Sequence, residues 1–364
     1  MTALSARRVS SRWRAVLLLP AGFCLLAGLD AALVMLELSA PVASSRLPGS
    51  HGVLLVLGFV GSLIALERAI ALRARWALLA PTLLASGAVL TLAPVPSVLG
   101  PVLMAGGSLT LVGIYVPLWR RQADEAVLVQ GLGAVCAAGA PMMWIGGVDL
   151  PTTLPWLMAF VVLTIAGERL ELARVMLGAT AGPILVGLST ALAAGVIASL
   201  LWTPSGTVLL GLTLAALVAW LSTHDIARRT VRASGLPRYM AVCMLSGYFW
   251  AAVAAGIWIV SGQVAAGSAG YDAVVHAVFL GFTMSMVMAH APVILPAVTG
   301  LRLPYHPVMY GPVLLLQVSL ALRIWWGDGL GIPAAWRAAA VLNIVALLSF
   351  LAVAAARVAT GARR

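Results

Sequence analysis

The stretch 272–297 reads DAVVHAVFLGFTMSMVMAHAPVILPA. It runs for 26 residues with two histidines, His276 and His290, set among apolar and small side chains. A helix needs about 20 such residues to cross roughly 30 Å of hydrocarbon. Working outward, comparable runs recur eleven times, at about 15–37, 50–70, 76–94, 98–118, 126–147, 153–172, 179–201, 206–222, 239–261, 309–325 and 336–356. Lipid offers no partners for free N–H and C=O groups, so spans of this kind must be helical. The expected fold is all-α: a polytopic integral membrane protein of about twelve helices. One transmembrane domain then fills residues 1–364, with short tails at 1–14 and 357–364.

Composition points the same way. Of 364 residues, 62% are apolar and 9% charged, and the mean hydropathy is +1.06. Soluble domains carry about 45–50% apolar and roughly 25% charged residues. An ordinary cytosolic enzyme, a disordered chain and a disulfide scaffold are excluded. Twelve spans of about 22 residues leave about 100 for loops and tails, too few for a soluble domain. No Walker loop, HExxH or GxSxG is present, which argues against an ATP-driven pump on this chain. Cys24, Cys136 and Cys243 all fall within spans without CxxC spacing, and read as small buried hydrophobes.

The net charge is +11, and all 22 basic residues are arginine. With the N-terminus inside, 19 fall on inner segments: Arg7, Arg8, Arg12 and Arg14, then Arg68 to Arg75, Arg120 and Arg121, Arg169 and Arg174, Arg228 to Arg238, Arg302, and Arg357 to Arg364. Only Arg46, Arg323 and Arg337 fall outside. This split predicts both termini in the cytoplasm of a bacterial-type inner membrane. It reads the charge as an orientation label and excludes a nucleic-acid surface. No clear cleavage site follows the first run, so it is expected to be retained as a span.

A faint repeat spaces the spans by four. Glu67-Arg68 ends span 2 and Glu168-Arg169 ends span 6. Span 2 opens with His51-Gly52 and continues to Gly58-Phe59; span 10 opens with His276-Ala277 and continues to Gly281-Phe282. Three four-helix units are one expectation from this pattern.

The five histidines carry the functional information, because an imidazole in lipid is costly without a partner. Fourteen residues separate His276 and His290, close to four α-helical turns, so both would share one face with Thr283 between them. Each is a candidate haem or metal ligand, or a polar group in a substrate path. His51 and His276 begin their spans on the same side, and two neutral imidazoles can form an axial haem pair. Gly58 and Gly281 would leave room for a flat macrocycle. The bland alternative for His51 is an exposed loop residue. Pro292 and Pro296 allow span 10 to kink beside a cavity. There His290 and His306 could form an inner site for a metal, a haem or a quinone headgroup, unless His306 only caps a turn. His224 reads as a solvated loop residue.

The other polar groups offer weaker readings. Asp30 lies inside span 1 and could pair with a histidine or mark a proton path. Glu67 and Glu168 read as partners of Arg68 and Arg169, with proton uptake as the sharper alternative. Arg323 and Arg337 could neutralise haem propionates, or belong to the interface. Tyr115, Tyr248, Tyr305, Tyr310 and the tryptophans suit an aromatic belt.

Twelve spans with histidines opening spans 2 and 10 resemble the catalytic subunit of haem-copper oxidases. The nearer resemblance is to the NnrS group of haem- and copper-containing membrane proteins linked to nitric oxide stress. It rests on His51-Gly52 with Gly58-Phe59-Val60-Gly61, and on His276-Ala277 with Gly281-Phe282. The resemblance implies a b-type haem between spans 2 and 10. It also implies electron transfer or nitric-oxide or oxygen chemistry, with a quinol or redox partner. The sequence departs from the oxidase pattern in having no histidine on spans 6 or 7 and no His-x-His on span 10. That leaves copper without its usual ligands. The competing expectations are a twelve-helix secondary transporter using His276, His290 and Asp30, and an assembly protein with no site.

Overall fold

The computed structural model describes residue 16, residues 18–42 and residues 44–361. The expected arginines at 7, 8, 12, 14, 363 and 364 lie outside the described residues. Every regular element among the described residues is helical. Each of the twelve expected runs becomes one helix. They are α1 (Leu18–Met35), α2 (Leu47–Leu72), α3 (Arg75–Leu90), α4 (Leu99–Gln122), α5 (Glu125–Ile145) and α6 (Leu154–Leu177). There follow α7 (Ala181–Leu201), α8 (Ser205–His224), α9 (Gly235–Ser261), α10 (Ala269–Thr299), α11 (Pro307–Gly329) and α12 (Pro333–Gly361). Ten are long and apolar enough to cross a membrane. The other two are α3, which is short, and α6, which carries Glu168, Arg169, Glu171 and Arg174 toward its end. The protein is a multi-pass membrane protein.

Local chemistry sets the helix ends. Ser268 caps α10 by accepting the Tyr271 N–H at 3.2 Å. The expected third span ran to residue 94, but α3 stops at Leu90. There the Thr91 hydroxyl donates to Ala88 O, and Pro94 and Pro96 follow. Arg73, in the left-handed region at φ 61°, ends α2.

Three helices widen within the span. α2 is π-helical over Leu54–Gly61, α10 over His276–Phe282 and α11 over Leu322–Gly329. Such segments shift backbone bonds from i−4 to i−5 and are frequent at functional sites. In α2 and α10 the widened segment is followed by a hydroxyl residue. Thr283 Oγ1 donates to Val278 O, five residues back, at 2.9 Å, while Ser62 Oγ lies nearer to Pro81 O of α3, at 3.3 Å, than to Leu57 O, at 3.5 Å.

Contacts divide the described residues into two compact units. One holds residues 1–123, 134–153 and 294–300; the other holds 124–133, 154–293 and 301–364. In the first unit, α3 and α4 approach closely on small residues. A Cβ on Gly87 would lie 2.8 Å from Gly100 O, and one on Gly107 3.0 Å from Ala80 O. Small residues allow such approach where lipid supplies no hydrophobic drive between helices. In the second unit α9 packs on α8 and on the π segment of α10.

Candidate functional site

Two polar clusters lie along α10 in the second unit, the first half-buried and the second buried. The first surrounds His276. Its Nδ1 is 2.8 Å from Asp272 O, one turn earlier, and 3.3 Å from Asp272 Oδ1. Both are acceptors, so in the neutral ring Nδ1 carries the proton and Nε2 the lone pair. Arg323 on α11 grips Asp272 with both arms of its fork, Nε to Oδ2 and Nη2 to Oδ1, each 2.8 Å. The Trp336 indole of α12 donates to Asp272 Oδ2 at 3.1 Å, and the Arg323 guanidinium lies 4.7 Å from its ring centroid. This combines a bidentate ion pair with a cation–π contact. Asp328, on the same π segment as Arg323, has a buried Oδ2 with no hydrogen-bond partner among the described residues.

The second cluster surrounds His290. Arg169 of α6 donates from Nε to Asp225 Oδ2 at 2.8 Å and from Nη2 to Oδ1 at 3.4 Å. Tyr248 of α9 donates its hydroxyl to Asp225 Oδ2 at 2.7 Å, and the Ala227 N–H meets Oδ1 at 2.8 Å. The remaining Arg169 arm, Nη1, lies 3.5 Å from His290 Nε2, while His290 Nδ1 donates to Met286 O at 2.8 Å. Arg169, Asp225, Tyr248 and His290 are all buried. Charge this deep persists only when paired and hydrogen-bonded.

His51 belongs to the first unit. Its Nδ1 lies 2.8 Å from Gly28 O of α1, which sets the same tautomer as at His276. The ring is half-buried at the start of α2, three residues before its π segment. A ring nitrogen held by a carbonyl fixes the orientation and tautomer of an imidazole.

Other expectations need correction. His276 and His290 join different clusters, and the π segment between them breaks the 3.6-residue register that put them on one face. The Nε2 of His290 faces a guanidinium, which disfavours a metal cation at that nitrogen. His306 is exposed, and its Nδ1 accepts the Val308 N–H at 3.2 Å as a cap on the turn Pro307–Met309. An inner two-histidine metal site therefore gains no support. Gly58 and Gly281 open no slot where a Cβ would stand. On Gly58 it would lie 2.7 Å from Ala88 Cβ and 2.8 Å from Cys24 Sγ, and on Gly281 it would collide with the Trp250 ring. Both serve helix packing. The Arg323 fork is committed to Asp272 and not free for a propionate, and Arg337 is exposed.

Smaller readings divide. Glu67 and Arg68 do pair, at 2.7 Å, but the Arg169 fork goes to Asp225 instead of Glu168. Asp30 Oδ2 accepts the Val42 N–H at 3.0 Å and so anchors the loop after α1. His224 is exposed at the end of α8, stacked on Trp220. Tyr248 and Trp250 lie in the core and not in a belt. Sequence reasoning missed Asp225, Asp272 and a polar chain in which Trp250 Nε1 donates to Gln317 Oε1 at 2.6 Å and Gln317 Nε2 to Ser285 Oγ at 3.0 Å. The i,i+4 spacing of Asp272 and His276 was the available signal for Asp272.

Among the described residues, no group of three or more His, Cys, Asp or Glu side chains could hold a metal ion. Copper, expected only weakly, thus has no constellation of that size there. No curated protein and no solved structure gives a significant match to the chain. One family model matches nearly its whole length, residues 14–359, and the chain belongs to that family, described as Domain of unknown function (DUF8744).

Proposed function

We propose that this is a haem-binding membrane protein with His51 and His276 as axial ligands of a b-type haem. The observation that supports it is shared by both rings: Nδ1 faces a backbone carbonyl, which in the neutral ring puts the lone pair on Nε2, the tautomer suited to a metal-ligating imidazole. Haem bound there would supply one-electron chemistry. The chain's own part is to fix the rings. Gly28 O holds His51, and the Asp272 carbonyl and carboxylate hold His276. Arg323 and Trp336 in turn hold the Asp272 carboxylate in place. The resemblance to NnrS and haem-copper oxidase proteins favours electron transfer or nitric-oxide or oxygen chemistry, with a quinol or redox protein as donor. The arginine distribution favours both termini in the cytoplasm of a bacterial-type inner membrane.

The test is purification of the full chain in detergent from a haem-sufficient host. The expected result is a strong visible band that reduction sharpens. A folded protein without haem, which also takes up none on titration, would defeat the proposal.

A second reading is a proton-coupled secondary transporter. The buried Arg169–Asp225–Tyr248–His290 cluster favours it, because ionisable groups inside a membrane protein often mark ion or substrate paths. Transport assays in proteoliposomes under an imposed pH gradient would separate the two: substrate movement abolished by Asp225→Asn, with no haem bound, selects the transporter.

A further inference from the structure

A cleft of about 410 Å³ opens beside the second cluster, bounded by Ala173 and Met176 of α6, the end of α8 and the short turn after it. That volume falls within the usual range for small-ligand sites. Three guanidiniums line it, Arg228, Arg229 and Arg232, all exposed. None of the three has a carboxylate within ion-pair distance among the described residues, and Arg228 Nη1 donates to Thr223 O at 3.0 Å. The one carboxylate in the wall, Asp225, is buried. It accepts four donors, two from Arg169, one from Tyr248 and one from the Ala227 N–H. Its charge is therefore already compensated from behind, and the cleft presents net positive charge.

An arginine-rich end of a membrane protein ordinarily spreads its charges into water. Here three converge on one concavity, and the fork of arginine suits phosphate oxygens. We propose that this cleft binds a phosphoryl group, carried by either an anionic phospholipid or a soluble phosphate. Met176 and Leu172 are exposed at the adjoining end of α6, so an acyl chain would have an apolar surface beside the cleft. Asp225 forms part of the wall and also holds Arg169, so an occupant would abut the network that reaches His290. The proposal is independent of the haem reading.

The test uses the full chain in a neutral detergent at constant ionic strength. Thermal unfolding is followed with added inorganic phosphate, with short-chain phosphatidylglycerol, and with short-chain phosphatidylcholine as the zwitterionic control. The expected result is stabilisation by phosphatidylglycerol, by phosphate or by both, and none by phosphatidylcholine. A response to phosphate identifies a soluble source as sufficient; a response to phosphatidylglycerol alone identifies the lipid headgroup. Each single substitution Arg229→Gln or Arg232→Gln should weaken binding by about tenfold, the worth of a charge-assisted hydrogen bond. Arg120→Gln, an exposed arginine on α4, should leave it unchanged. These are single changes at exposed positions, so each variant is expected to fold. The proposal is overturned if neither anion stabilises the protein, if both cleft substitutions leave the response intact, or if Arg120→Gln weakens it equally.

Discussion

His51 on α2 and His276 on α10 are held alike at one nitrogen and differ in almost everything around it. Each ring donates from Nδ1 to a backbone carbonyl, and each adjoins a π-helical segment. His51 takes its carbonyl from Gly28 on another helix. His276 takes its carbonyl from its own helix and adds a carboxylate that Arg323 and Trp336 hold in turn. The adjoining π segment and the tautomer are thus what the two sites share. The charged partners around His276 are a local addition.

The largest expected effect comes from breaking the shared part. His51→Ala and His276→Ala should each lower haem retained through purification by at least about tenfold, measured by absorbance per protein, since a single lost ligand bond exceeds 1.4 kcal/mol. If only one substitution does so, the symmetry of the pair is broken and the other histidine is structural. Next is Asp225→Asn, which leaves the Arg169 charge buried without a counter-ion. Stability should fall by about 3–5 kcal/mol, read from thermal unfolding in detergent. Asp272→Asn should cost less, about 2–3 kcal/mol, because that site is partly open to solvent. It should also weaken haem retention in proportion to how far the ring is freed, an effect with no counterpart at His51.

Gly281→Ala should cost about 1–3 kcal/mol by overpacking against Trp250. The smallest effect tests the closure of the α10 π segment: Thr283→Val should cost about 1 kcal/mol in thermal unfolding, the worth of one hydrogen bond. Ser62→Ala should cost a similar amount, about 1 kcal/mol, through its tie between α2 and α3.

The helices were legible because their length is fixed by the bilayer and nothing else in the sequence competes with an apolar run of that size. The bonding of α10 was not. A spacing of fourteen residues implies one face only if the helix keeps 3.6 residues per turn, and the π segment changes that count. Asp225 follows Ser222-Thr223-His224 and reads as part of a solvated loop; only the fold brings Arg169 and Tyr248 to it from two other helices. Tyr248 read as an interfacial residue for the same reason, since its partner lies 23 positions away. Gly58 and Gly281 stand out in the sequence as small residues, but whether a small residue leaves a slot or admits a neighbour depends on what packs there, and here it is Cys24, Ala88 and Trp250.

The central claim is that the two imidazoles coordinate one iron. Electron paramagnetic resonance of the oxidised wild-type protein tests it most directly. The account predicts one low-spin ferric signal of the bis-imidazole type, absent from both His51→Ala and His276→Ala. A low-spin signal that survives either substitution would contradict it.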